Sequence, residues 1–176
     1  FVFRGASSLY LEANTVILGL LAPPSVVAFF GGAQKVVRAG TSFFQPASQA
    51  FFPRLSRVAG KDANESARLL RLSLVVMGAA GFGIGLLLFW QAPLAVRLFL
   101  GPGYEQAVPI LRLLAFLPPI LGLGTVFGIQ WALPHGLERP FTGLVLSAGI
   151  LNVVLAIILV PGMQGLGMAT ALLSAE

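Results

Sequence analysis

Long apolar runs, broken at short polar or proline-rich intervals, divide the chain into helical segments. They cover residues about 3–21, 24–52, 69–90, 106–133, 141–160 and 165–176, the last too short to cross a bilayer. The breaks have local causes. Ala22-Pro23-Pro24-Ser25 predicts a tight turn, because proline disfavours helical geometry in the residue before it and suits a helix start. Gly101-Pro102-Gly103-Tyr104 and Pro161-Gly162 predict two more turns. Pro118-Pro119, with Gly122, Gly124 and Gly128, predicts a kink or break inside 106–133. Leu69 to Trp90 is the cleanest span, and its Gly81 and Gly85 form a small-xxx-small pair suited to close helix packing.

Two segments carry polar stripes. In 24–52, Gly31, Lys35, Arg38, Ser42, Gln45 and Gln49 recur at helical spacing and so share one face of a single long helix. In 3–21, Arg4, Ser8, Glu12, Thr15 and Gly19 do the same, with Asn14 beside the stripe. Cations near mid-membrane are costly unless they face a wet cavity or a partner. Lys35 and Arg38 lie too deep to reach the headgroups by stretching, so they are predicted to line a substrate cavity. Gln45 and Gln49 would extend it, with Glu12 and Asn14 contributed by the first helix. Glu12 reads as a proton-coupling carboxylate, as a counter-ion for a cation on the second helix, or as a structural hydrogen-bonding group. Gln130 and Asn152, each alone in an apolar run, are expected to pack helices together.

Composition sharpens the class. Hydrophobic residues make up 57% and charged residues 10% of the 176-residue chain, against about 25% charged in soluble domains. The mean hydropathy of +0.91 agrees. An all-α, polytopic membrane helical bundle of about six transmembrane helices is expected. The +5 net charge does not point to nucleic acid, because the cations are few and gather in one connection rather than on a soluble face. Zero cysteines exclude disulfides and thiolate metal sites, and one histidine excludes a multi-histidine centre. Nothing calls for a cofactor or a metal.

The polar loop 54–68 carries Arg54, Arg57, Lys61 and Arg68, with Arg71 just beyond it, which marks it as cytoplasmic. Asn64-Glu65-Ser66 matches a glycosylation acceptor, read as chance in a cytoplasmic loop. Loop 134–140 then lies on the same side, and the connection near 91–105, holding Arg97, lies outside. Phe1 in place of Met, and a last segment too short to span, predict an internal fragment with residues 1–176 as one transmembrane bundle.

Several stretches together resemble the Wzx-like polysaccharide (oligosaccharide) flippases of the multidrug/oligosaccharidyl-lipid/polysaccharide exporter superfamily. They are Leu9-Tyr10-Leu11-Glu12-Ala13-Asn14, Ala33-Gln34-Lys35-Val36-Val37, Gln49-Ala50-Phe51-Phe52-Pro53-Arg54-Leu55-Ser56 and Leu100-Gly101-Pro102-Gly103-Tyr104-Glu105-Gln106-Ala107. The resemblance covers most of residues 6–135 and implies the C-terminal half of a two-bundle transporter of the inner (plasma) membrane. It implies a partner bundle N-terminal to this chain and a substrate of polyprenyl-pyrophosphate-linked oligosaccharide, flipped by alternating access among membrane lipids. Arg38, with its fork, and Lys35, as a point charge, would then meet pyrophosphate, and Gln45 and Gln49 sugar hydroxyls.

Alternatives are a lipid-linked peptidoglycan precursor flippase or a small-molecule or ion antiporter of the same superfamily. An exporter of organic cations needs net acidic charge in its cavity, and Glu12 against Lys35 and Arg38 argues the other way. An enzyme would need paired carboxylates or a metal site, and the acidic residues are scattered over different segments.

Overall fold

The computed structural model describes residues 14–58 and 63–176. The expectations for Arg4, Glu12 and Lys61 therefore lie outside the described residues. The described residues are helical throughout, with short turns and no strand. Helix α1 (described over 14–21) runs into the Pro23 turn, where the Val26 N–H donates to the Pro23 carbonyl at 3.0 Å. Helix α2 (Pro24–Thr41) starts with proline at its first position, where no intrahelical donor is needed.

The single helix expected over 24–52 is two helices. Helix α2 ends at Thr41 and α3 (Phe44–Val58) follows after a turn at Ser42 and Phe43. The Thr41 hydroxyl donates to the Val37 carbonyl at 3.0 Å and the Ser42 hydroxyl to Ala39 at 2.8 Å. Such back-bonding competes with the helical ladder. Pro46 also lacks the N–H that would have reached back to Ser42, so the ladder breaks there. The polar loop is shorter than expected. Arg54 and Arg57 lie on α3, Arg68 and Arg71 on α4 (Ala63–Trp90), and all four are exposed near the helix ends.

Helix α5 (Ala92–Phe99) leads to the Gly101 and Gly103 turn, where φ of 85° and 92° suits glycine. The segment 106–133, where a kink or break is expected, is three pieces: α6 (Ala107–Leu114), α7 (Leu117–Gly124) and a π-helical stretch (Thr125–Ala132). The break between α6 and α7 follows from Pro118 and Pro119, which leave the Leu114 and Ala115 carbonyls without helical donors. Helix α8 (Glu138–Ala175) holds Pro161 and reverses at Gln164, with φ 50° and ψ −124°. It is therefore two arms folded against each other, and Gly167 packs on the Leu159 carbonyl of the first arm.

Among the described residues three runs, Asn64–Trp90, Ala107–Ala132 and Glu138–Ala175, are long and apolar enough to cross a membrane. Helix α2, interrupted by Gln34, Lys35 and Arg38, is not among them. Two clusters hold the bundle. The larger joins α1, α2, α5, α6 and α8 through residues such as Leu18, Phe30, Val37, Leu111, Val160 and Met168. The smaller joins Phe44, Met77 and Val126 of α3, α4 and the π stretch. Outside them, Val75, Phe82, Leu86 and Trp90 on α4 and Leu146, Ile150 and Ile158 on α8 are exposed, as a lipid-facing surface requires.

Lipid tails are as apolar as leucine, so close backbone approach has to supply cohesion. Helix α4 does this against α7, its main neighbour. A Cβ on Gly81 would lie 2.7 Å from the Pro118 carbonyl oxygen, and one on Gly85 would lie 2.6 Å from that of Ala115. A Cβ on Gly122 would likewise meet the Met77 oxygen at 2.8 Å. The Ala115 oxygen, deprived of a helical donor by Pro119, is thus covered by the glycine edge of α4, a place where a weak Cα–H···O contact fits. The Gly81/Gly85 pair is the signal that marks this seam in the sequence.

Candidate functional site

A cavity of about 490 Å3 opens between α2, the α7–π segment and both arms of α8. Helix α2 contributes Gln34, Val37, Arg38 and Thr41, which follow the i, i+3, i+4, i+7 spacing of one helical face. Leu117, Ile120, Leu121, Thr125 and Ile129 form a second wall. Phe141, Leu144, Val145 and Ala148 form a third from the first arm of α8, and Leu172 and Ala175 close it from the second. Among the described lining residues most are apolar, and the charged and amide groups sit on α2 apart from Glu176 just past the end of α8.

The polar groups differ in what they can still bind. The Thr41 hydroxyl gives its proton to Val37 and the Thr125 hydroxyl gives its own to Leu121 at 2.8 Å, so each keeps only acceptor capacity. Arg38 is exposed and places the positive charge of its guanidinium on the wall. Gln34 is 6% exposed and its Nε2 has no hydrogen-bond partner. Glu176, just past the end of α8, adds a carboxylate to the lining and is exposed.

The expected site residues separate. Arg38 lines the cavity. Lys35 is exposed on α2 but is not part of the lining, because it lies farther around the helix than Arg38 from the face of Gln34, Val37 and Thr41. Gln45 and Gln49 are exposed on α3 and do not line the cavity, because the break at Ser42 and Phe43 ends the common face. Asn14 is fully buried away from the lining and accepts a hydrogen bond at Oδ1 from Nδ2 of Asn152. Glu12 lies outside the described residues. Asn152 thus ties α1 to α8, and Gln130 ties the π stretch to α4 by accepting from the Ser73 hydroxyl. Both are helix-packing groups. His135 is exposed, with Nδ1 2.7 Å from the Trp131 carbonyl.

Gln34 and Thr41 went unmarked because a stripe drawn through the two cations selects the neighbouring face. The usable signal was Gln34 one helical turn before Arg38. Among the described residues no cluster of three or more histidine or acidic side chains is placed to hold a metal.

A membrane bundle with a cation on the wall of an interior cavity agrees with what the chain is similar to. The chain is similar to proteins named as O-antigen transporters. It is 31% identical over 176 residues to the "Putative O-antigen transporter" of Escherichia coli (strain K12), covering all of this chain and 42% of that protein. A protein of the same name from Shigella dysenteriae is 27% identical over 177 residues, again across the whole chain and 44% of the relative. The chain therefore spans less than half the length of the curated relatives it matches. No family model matches it, and no solved structure gives a significant match. With three runs fit to span a bilayer, the chain is a membrane protein.

Proposed function

We propose that the chain is part of a carrier that moves lipid-linked oligosaccharide units across the cytoplasmic membrane by alternating access. A second bundle, N-terminal to this one, would complete the passage. The observation that carries the reading is the position of Arg38, on the wall of a cavity enclosed by helices of a membrane bundle. The names of the relatives, both called transporters, support it. A guanidinium in such a place matches the oxygens of a phosphate or pyrophosphate, which it can hold by two parallel hydrogen bonds. The cation is affordable at that depth because the cavity admits water when empty and an anion when loaded. Rocking of two bundles about the loaded cavity would then expose it to the other side. Lys35, exposed at the flank of the same helix, is placed to meet an anion outside the cavity rather than within it.

The test is translocation of lipid-linked oligosaccharide by the full-length protein in a strain lacking its own carrier, read as polysaccharide at the surface. Arg38→Gln should lower the rate about 10- to 100-fold, the worth of charge-assisted hydrogen bonds of roughly 1.5–3 kcal/mol. The membrane level of the protein should not change. Unchanged transport by Arg38→Gln would remove the basis of the reading.

A further inference from the structure

Resting on that reading, we infer that this cavity holds the junction between phosphate and lipid tail, not the sugar, and that Gln34 is a binding residue for the phosphate oxygens. The inference starts from what the wall can and cannot satisfy. A sugar brings several hydroxyls, each needing a partner when taken from water. Each one left unpartnered inside a protein is costly. Among the described lining residues the side-chain N–H groups belong to Gln34 and Arg38, and the threonine protons are given to backbone carbonyls. The remaining walls, from Leu117, Ile120 and Ile129 on one side and Leu144 and Val145 on the other, offer hydrocarbon. Such a lining suits an amphiphile with one compact anionic group and an apolar stem.

Gln34 identifies the polar corner. Its amide is buried, and its Nε2 has no partner in the protein. A buried donor without an acceptor is unfavourable in the empty state. It is one helical turn from Arg38 on the same face. A turn of the Gln34 side chain would bring a donor that lacks an acceptor to an anionic oxygen lying between it and Arg38. Glutamine adds no charge of its own, so it can serve a phosphate oxygen without strengthening the electrostatic hold that release must overcome. Glu176, the carboxylate of the lining, sits on α8 rather than on the donor face of α2 and opposes any anion bound deeper toward that arm.

The experiment uses the full-length protein in nanodiscs and three probes: geranylgeranyl monophosphate, inorganic pyrophosphate and a soluble lipid-free oligosaccharide. Binding of geranylgeranyl monophosphate should weaken about tenfold in Gln34→Leu, the loss of one hydrogen bond to a charged group. It should weaken further in Gln34→Glu, which keeps the shape but replaces the donor by a carboxylate. Taking the ratio to wild type cancels partition of the probe into the bilayer. Pyrophosphate should compete with the lipid phosphate only at much higher concentration, because it leaves the apolar walls uncovered. The oligosaccharide should not compete. Binding that is equal in wild type, Gln34→Leu and Gln34→Glu, or displacement by the oligosaccharide, overturns the inference. Should Gln34→Leu fail to accumulate, Gln34→Glu and the competition series decide. These outcomes are separable from those of the transport test. A wild-type protein that moves lipid-linked oligosaccharide but binds the probe without regard to Gln34 refutes the inference and leaves the carrier reading standing. Binding that depends on Gln34 without any transport does the reverse.

Discussion

Two buried glutamines sit in different surroundings. Gln130 lies in the π stretch at the seam with α4, where its Oε1 accepts from the Ser73 hydroxyl and glycines bring α4 and α7 into backbone contact. Gln34 lies on α2 at the edge of a cavity, with Nε2 unpartnered and Arg38 one turn away. Both are nearly inaccessible, so burial alone does not separate a packing residue from a binding one. The separation comes from the surroundings. At the seam, backbone meets backbone and no space is left. At the wall, hydrocarbon faces an opening and the polar groups gather on one helix. Changes at the seam should therefore lower stability and affect transport only through protein level. Changes at the wall should lower transport and leave stability alone.

The sharpest break of that contrast is at Gly81. Its Cβ would fall on the Pro118 oxygen and the Pro119 Cα, backbone atoms that cannot turn aside. Gly81→Leu should destabilise the bundle by about 3 kcal/mol, the upper end of overpacking. The check is thermal unfolding in detergent, and Arg38→Gln measured beside it should unfold like wild type. Ser73→Ala comes next. It leaves the Gln130 amide without its Ser73 donor inside the seam, at a cost of about 1–2 kcal/mol, and the surviving folded protein should transport at the wild-type rate per molecule. The smallest effect belongs to the reversal of α8. Gln164 holds φ 50° and ψ −124°, a conformation that suits glycine at the first central position of a II′ turn. Gln164→Gly should raise stability by about 0.5–1 kcal/mol, read as a small upward shift in unfolding temperature.

The sequence makes some of this legible and hides the rest for physical reasons. An all-helical membrane bundle follows from the apolar runs, and the seam follows from Gly81 and Gly85, since only small residues let backbones meet. The kink near Pro118-Pro119 was readable because proline removes donors at known positions. The break after Thr41 was not, because Gly40 beside it lies inside α2 and does not take the positive φ of a helix-ending glycine. Its causes are two hydroxyls that bond backward and a proline four residues after Ser42. The π winding over Thr125–Ala132 has no compositional signature, so nothing in that stretch distinguishes it from an α-helix. The cavity face was missed by one residue step. A stripe anchored on Lys35 and Arg38 carries the eye through Ser42, Gln45 and Gln49, whereas the lining runs through Gln34, Val37, Arg38 and Thr41. Arg38 belongs to both stripes, which is why it lies on the cavity wall and Lys35, Gln45 and Gln49 do not.

The claim beneath all of this is that Arg38 faces water inside the membrane. The chain has no cysteine, so a thiol introduced into it is the only one in this region. Arg38→Cys and the lipid-facing Leu86→Cys can be exposed in turn to a charged, membrane-impermeant thiol reagent. Arg38→Cys should react readily, while Leu86→Cys stays unlabelled. Equal resistance to the reagent at both positions would contradict the cavity and, with it, the carrier.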